Sequence, residues 1–309
     1  MKLSLVVPCY NEEENVRLFA EKTGRILAGI DYELVFVNDG SKDGTIKELK
    51  KLASENVIVI DFSRNFGKEA GIYAGLSHAR GEYVVIIDAD LQQPVEVARE
   101  MYEFLEENED YDQVAAYQSQ RKEGYVLTWF KTAFYEMINK MCDIELYKNA
   151  SDFRCLRRNV VDAILSMTEY HRFSKGIFAW VGFETYYRPY EVQERNAGVS
   201  SWNFWKLSAY ALEGMVSFST KPLRMVTSLG IFTSVLAILY MVSVIFEKLI
   251  LGIAVPGYPT IIVLILLLGG TQLTVIGIIG EYLAKVHIEV KDRPIYIAKQ
   301  VLGGEKEKE

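Results

Sequence analysis

Tyr83-Val84-Val85-Ile86-Ile87-Asp88-Ala89-Asp90-Leu91-Gln92 joins an unbroken apolar run to two acidic residues two positions apart. Such a run, with no alternation of apolar and polar residues, predicts a strand covered on both faces, as in a parallel sheet between helices. Residues two apart on an extended segment project to the same side, so Asp88 and Asp90 converge where the strand ends. In open α/β sheets ligands bind beyond that carboxyl edge, and paired carboxylates there suit a hard divalent cation that can neutralise a diphosphate. Taken alone, the pair is a weak signal that reads more readily as a turn and helix cap before Pro94. Its neighbours along the chain decide.

Upstream, Leu3–Val7, Leu34–Val37 and Val57–Ile60 repeat the apolar pattern, and helical patterns at Glu12–Leu27, Asp43–Leu52 and Gly67–Ala79 lie between the strands. A further helix is predicted after Pro94 to about Glu107, then a strand over Gln113–Tyr117. Each of the first three strands runs into polar residues: Pro8-Cys9-Tyr10-Asn11-Glu12, then Asn38-Asp39-Gly40-Ser41-Lys42-Asp43-Gly44, then Ser63-Arg64-Asn65-Phe66-Gly67-Lys68. A parallel sheet gathers all of these on one edge with Asp88 and Asp90.

The chain has 309 residues and a formal net charge of -7, which argues against a nucleic-acid partner. Three widely spaced cysteines, Cys9, Cys142 and Cys155, lack metal-ligand spacing and read as reduced thiols in the interior. His78, His171 and His287 show no ligand spacing either. The apolar N-terminal stretch is too short for a signal peptide, so the first domain is expected in the cytoplasm.

Met225–Phe246 and Thr260–Gly280 are uncharged for about 20 residues each, enough to cross a bilayer. The predicted spans are 223–246 and 260–282, a hairpin whose connection holds one basic residue, Lys248. Lys206, Lys221, Arg224, Lys285, Lys291 and Arg293 flank it outside, which predicts both termini in the cytoplasm. Ser200–Lys206, with Trp202 and Trp205, reads as an interfacial belt. Val126–Met141 has an apolar helical face that fits either a core helix or one lying on the membrane. Gly270, Thr274 and Gly277 form a small-residue stripe that suits either close helix approach, hence homo-oligomerisation, or contact with lipid.

The four motif loops, in order, closely resemble glycosyltransferase family 2, which has the GT-A fold: a Rossmann-like α/β arrangement, mostly parallel, with helices on both faces. The resemblance continues through Ser151-Asp152-Phe153-Arg154, Arg172-Phe173-Ser174-Lys175-Gly176, Trp180-Val181-Gly182-Phe183, Glu194–Ser200 and Phe218–Arg224, and covers nearly the whole chain. Within the family the chain looks most like the polyprenyl-phosphate glycosyltransferases, bactoprenol glucosyltransferases first and dolichyl-phosphate mannose synthase more distantly. The resemblance implies a GT-A domain over 1–200, a juxtamembrane segment with interfacial helices over 201–222, the transmembrane hairpin within 223–284, and a cytoplasmic tail over 285–309.

It further implies that Pro8, Tyr10, Glu12, Asp39, Lys68, Asp88 and Arg195 bind the nucleotide sugar. Asp88, Asp90 and Gln92 would surround Mg²⁺ or Mn²⁺, with Asp90 and Asp152 as the catalytic pair. Where relatives often read Leu-Gln-Asp-Pro-Pro-Glu, this chain has Leu91-Gln92-Gln93-Pro94-Val95-Glu96. Gly198-Val199-Ser200-Ser201-Trp202 stands where they read Gly-Glu-Ser-Lys-Tyr, one lysine fewer.

A phosphate monoester has its second pKa near about 6, so a lipid phosphate is already largely dianionic at neutral pH and needs little base catalysis. The harder task is bringing it to an anionic donor, which calls for cations. Arg121 and Lys131 are expected at the lipid phosphate, with Arg154, Arg172, Lys175 and Arg195 as further cations in the stretch that leads from the carboxylates to the membrane. The expected reaction is inverting transfer of one sugar, UDP-glucose favoured, to undecaprenyl phosphate at the inner membrane. The alternatives are UDP-N-acetylglucosamine or another donor, a polysaccharide synthase, or a non-catalytic scaffold.

Overall fold

The computed structural model describes residues 1–118, 147, 150–191, 219–249 and 257–304. Arg121, Lys131, Cys142, Arg195, the Val126–Met141 stretch and the Ser200–Lys206 belt lie outside the described residues.

The first half runs β1 (Leu3–Cys9), α1 (Val16–Ile26), β2 (Tyr32–Asn38), α2 (Thr45–Leu52), β3 (Val57–Phe62), α3 (Lys68–His78), β4 (Tyr83–Ile86), α4 (Val95–Glu107) and β5 (Gln113–Gln118). Then come β6 (Ala150–Arg157), α5 (Arg158–Leu165), α6 (Ser174–Trp180), β7 (Thr185–Tyr190), α7 (Lys221–Leu249), α8 (Tyr258–Glu289) and β8 (Ala298–Leu302). The eight strands form one sheet in the order β7-β5-β6-β4-β1-β2-β3-β8. β4, β1, β2 and β3 are mutually parallel, while β6 runs antiparallel to β4 and β5, and β8 antiparallel to β3.

The apolar runs are buried on both faces because helices cover both. On one face Phe19, Leu27, Leu49, Met101 and Leu105 pack against Leu3, Leu5, Val7 and Phe36. On the other, Ile72, Leu76, Val160, Ile164, Ile177 and Phe178 pack against Val6, Val35, Val37 and Ile86. The α3 helix lies so close to β1 that a Cβ on Gly75 would sit 2.1 Å from Val6 Cγ1. Only glycine permits that approach.

The chain steps from β1 outward to β2 and β3, then returns to the other side of β1 for β4. Such a switch point opens a crevice at the carboxyl ends of β1 and β4. The arrangement is the mostly parallel α/β architecture expected, with Cys9 and Cys155 in the interior as free thiols.

The α7 and α8 helices carry the stretches Leu223–Phe246 and Val263–Glu289, with mean hydropathies of 2.4 and 2.2 and no part of either window buried. A core helix of a soluble protein shows the opposite, apolar residues facing protein. Here Ile231, Leu266 and Leu273 stand outward.

The last stretch departs from a plain tail over 285–309. Ile295 and Tyr296 pack on the core face formed with α3, and β8 completes the sheet on the β3 edge. Gly303, at φ +77, fits against the Val57 carbonyl where a Cβ would come within 2.1 Å. The α7–α8 pair is thus an insertion whose two ends belong to one domain.

Candidate active site

The loops after β1 and β2 are laced together. Asn11 N–H donates to Ser41 Oγ at 3.0 Å and Lys42 N–H to Asn11 Oδ1 at 2.9 Å. Glu12 N–H donates to Thr45 Oγ1 at 2.8 Å and Gly44 N–H to Glu13 Oε2 at 2.6 Å. Asn11 holds a positive φ of 57°, a conformation asparagine tolerates. The lacing leaves Tyr10 exposed at the crevice, while Pro8 lies beneath α3 with its Cβ toward Gly71. The Glu12 carboxylate accepts from Asn15 Nδ2 at 2.6 Å.

Asp39 is buried, and its two oxygens accept the backbone N–H groups of Phe66 at 2.6 Å and Gly67 at 3.0 Å. Burial pushes its pKa up, and those two donors, with Arg64, pull against the rise. Gly40 (φ +62) lets the β2 loop touch the Arg64–Asn65 backbone, which a Cβ would meet at 2.4 Å. Asp39 therefore ties the third motif loop to the second, and this fixes where Lys68 begins α3.

Lys68 is the centre of the site. Its Nζ lies 2.6 Å from Asp88 Oδ1 and 3.4 Å from Asp152 Oδ2. β4 and β6 pair antiparallel with Ile86 opposite Arg154, and continuing that register two residues sets Asp152 opposite Asp88. The three side chains come from separate elements and meet at the carboxyl edge. Burial lowers the Lys68 pKa, but Asp88 and Asp152 outweigh it and hold the ammonium firmly charged. Burial alone would raise Asp152; Lys68, Lys175 and Arg154 hold it below the usual carboxylate range.

After β4 the chain turns through Leu91 at φ +59. Gln92 N–H donates to Asp90 Oδ1 at 3.1 Å, which orients that carboxylate. It is Gln93, buried, that contacts Asp88: its Oε1 accepts Asp88 N–H at 2.9 Å and its Nε2 donates to Asp88 Oδ2 at 3.0 Å. Among the described residues no group of three His, Cys, Asp or Glu side chains forms a metal cage. Lys68 Nζ and Gln93 Nε2 occupy the two Asp88 oxygens, while paired carboxylates such as Asp88 and Asp90 are the chemistry of a Mg²⁺-type ion that takes one or two carboxylates from protein and the rest from phosphate and water.

Sequence reasoning passed over Gln93 and Glu69. Glu69 Oε2 accepts Ser174 N–H at 2.9 Å and also the Ser174 hydroxyl, so it pins the start of α6, beside Lys175. Burial first, and then the Asp152 charge, push its pKa up to about 7. The signal for Gln93 was present in the departure from Leu-Gln-Asp, an amide where relatives carry an acid. Glu69 gave none, because its partner lies far along the chain.

Two expected cations serve the fold. Arg172 is buried, donates to the Met167 and Ile164 carbonyls at the end of α5, and lies over the Tyr73 ring at 4.6 Å. Arg154 is buried over the Phe178 ring at 3.8 Å and donates to Gln113 Oε1 at 3.2 Å. Burial pulls its pKa down to about 10 while Asp152 opposes the fall.

The glycosyl transferase family 2 profile matches residues 4–165, a stretch that includes every motif loop described above and Asp152. The chain belongs to glycosyl transferase family 2. This family 2 chain is 43% identical over 305 residues to the SfII prophage-derived bactoprenol glucosyl transferase of Shigella flexneri, covering 97% of this chain and 98% of that one. It is 42% identical over 306 residues to a prophage bactoprenol glucosyl transferase homolog of Escherichia coli (strain K12), covering 97% and 99%. CsbB of Bacillus subtilis (strain 168), which carries a provisional glycosyltransferase name, is 43% identical over 302 residues, covering 96% and 91%. At 96–97% of the chain the alignments take in α7 and α8, so the family 2 domain and its apolar pair are matched together.

Proposed function

We propose that this protein transfers a single glucose from UDP-glucose to undecaprenyl phosphate, with inversion, on the cytoplasmic face of the inner membrane. The observation that carries the reading is the nearly end-to-end match to proteins named bactoprenol glucosyl transferases. The lacing of the motif loops and the meeting of Lys68, Asp88 and Asp152 support it.

Pro8, Tyr10, Glu12 and Asp39 line the nucleotide end, with Asp39 acting through the loop it holds. Lys68 faces the donor diphosphate, and Arg195 serves the same anion. Asp88, Asp90 and Gln92 would hold Mg²⁺ or Mn²⁺, and the ion would supply positive charge to the departing diphosphate. A phosphate oxygen of the lipid attacks the anomeric carbon as its bond to the diphosphate oxygen breaks, and an α-linked donor yields a β-linked lipid monophosphate sugar. Arg121 and Lys131 receive the lipid phosphate.

Asp152 works as a fixed anion. A carboxylate held below its usual range is a weak base, and a phosphate dianion has little need of one. Its task is to set Lys68 and orient the acceptor.

The outward apolar surfaces of α7 and α8 support a membrane hairpin that returns both ends to the catalytic side. A panel of radiolabelled sugar nucleotides, tested on membranes with added undecaprenyl phosphate, is the test. Labelled lipid from UDP-glucose, with free UDP released only when the lipid phosphate is present, is the expected result. Labelling from UDP-N-acetylglucosamine instead would reassign the sugar, and an α-linked product would sink the mechanism.

A further inference from the structure

We propose that Gln300 and Tyr296, beyond the second apolar helix, are positioning residues for the donor site: they hold the end of β3 and thereby the loop that delivers Lys68. The inference rests on the donor reading of that loop.

The contact begins with the backbone. Asp61 pairs with Gln300 and Phe62 with Ala298, with a register shift between them, and Ser63 N–H donates to the Ile297 carbonyl at 2.9 Å. Ser63 opens the loop whose Phe66 and Gly67 N–H groups Asp39 holds. The loop is thus gripped from the tail at one end and from β2 at the other.

Side chains extend the grip. Gln300 Nε2 donates to Asp61 Oδ2 at 2.8 Å, and Asn38 Nδ2 donates to Asp61 Oδ1 at 2.7 Å. Asp61 and Asn38 are both buried, and Asn38 immediately precedes Asp39. A buried carboxylate needs a donor on each oxygen; without Gln300 one oxygen loses its partner at the point where β3 turns into the loop. Tyr296 stacks on Phe62 with centroids 5.0 Å apart and meets Tyr73 of α3 edge-on at 6.5 Å. Its hydroxyl lies 3.4 Å from Ser77 Oγ. The tail therefore touches both elements that flank the loop, β3 before it and α3 after it. Only Val290–Ile295 separate α8 from this clamp, so the anchor and the donor loop are joined by a short connection.

The test uses the full chain in detergent, with UDP and Mg²⁺ as the probe. Hydrogen exchange of the peptide spanning 63–67 is compared with that of α1, and UDP affinity is measured by calorimetry. Gln300→Leu is expected to speed exchange in 63–67 and weaken UDP binding about tenfold, the loss of one hydrogen bond to a charged group. The donor KM rises while kcat, exchange in α1 and recovery in membranes hold. Gln300→Lys, which still offers Asp61 a donor, restores both readouts, and Tyr296→Ala repeats the loss independently. Unchanged exchange at 63–67 in both Gln300→Leu and Tyr296→Ala overturns the inference and leaves the donor reading intact. Faster exchange with unchanged UDP affinity overturns it too. Failure of the wild-type chain to bind UDP overturns the donor reading and the inference with it.

Discussion

Lys68 Nζ lies 2.6 Å from Asp88 Oδ1 and reaches Asp152 on the neighbouring strand, so one ammonium holds two carboxylates that would otherwise repel. Lys68→Met should cut kcat/KM by about 100-fold, in the range seen when one preorganised charge partner is removed from an active site. Lys68→Arg should recover part of the activity, and steady-state kinetics on membranes give the comparison.

Asp90 and Asp88 differ in their partners. Asp88 is bound by Lys68 and Gln93, while Asp90 is oriented by Gln92 N–H. Asp90→Asn should abolish divalent-dependent turnover yet leave the protein membrane-bound, and chelation of the wild type should give the same loss, reversed by Mg²⁺ or Mn²⁺. Full activity of the purified variant would remove Asp90 from the metal role.

Glu69 has a folded pKa near about 7, raised by burial and the Asp152 charge, against about 4.3 for an unfolded glutamate. Between those values the folded chain holds a proton that the unfolded chain has released. Its contribution is therefore fully present below the lower value and is lost as pH rises through the upper one. At about 1.4 kcal/mol per unit the effect reaches at most about 4 kcal/mol, reduced by solvent screening. Midpoints of thermal inactivation in detergent should fall between about pH 5 and pH 7 for the wild type and stay flatter for Glu69→Gln.

Gly75 sits where α3 presses on β1. Gly75→Ala should cost about 1 to 3 kcal/mol through overpacking. Because α3 begins at Lys68, the shift should also reach the site, and activity should fall at temperatures where the fold survives. An Ala variant with wild-type melting and kinetics would contradict the packing.

The parallel half of the sheet was legible because apolar runs without alternation leave few alternatives, and the polar residues closing each run marked the edge. The helices predicted from Glu12, Asp43 and Gly67 begin four, two and one residues later, since Glu12, Asp43 and Gly67 belong to the lacing loops and the Asp39 clamp. Asp152 was placed by motif, and its approach to Lys68 beside Asp88 needed the antiparallel β6 next to β4, which sequence spacing does not announce. β8 escaped notice altogether. Ala298–Leu302 is short, mostly exposed and hidden behind a long apolar helix, so neither periodicity nor burial marks it. Arg172 and Arg154 look like anion binders in the sequence, but buried guanidinium groups also cap helices and lie over aromatic rings.

Of the eight described strands of the sheet, β8, which closes the β3 edge, is the last to be made. Until α7 and α8 have been made, the β3 edge is unpaired, an exposed template for wrong partners. Completion of the sheet therefore waits until both apolar helices have been made.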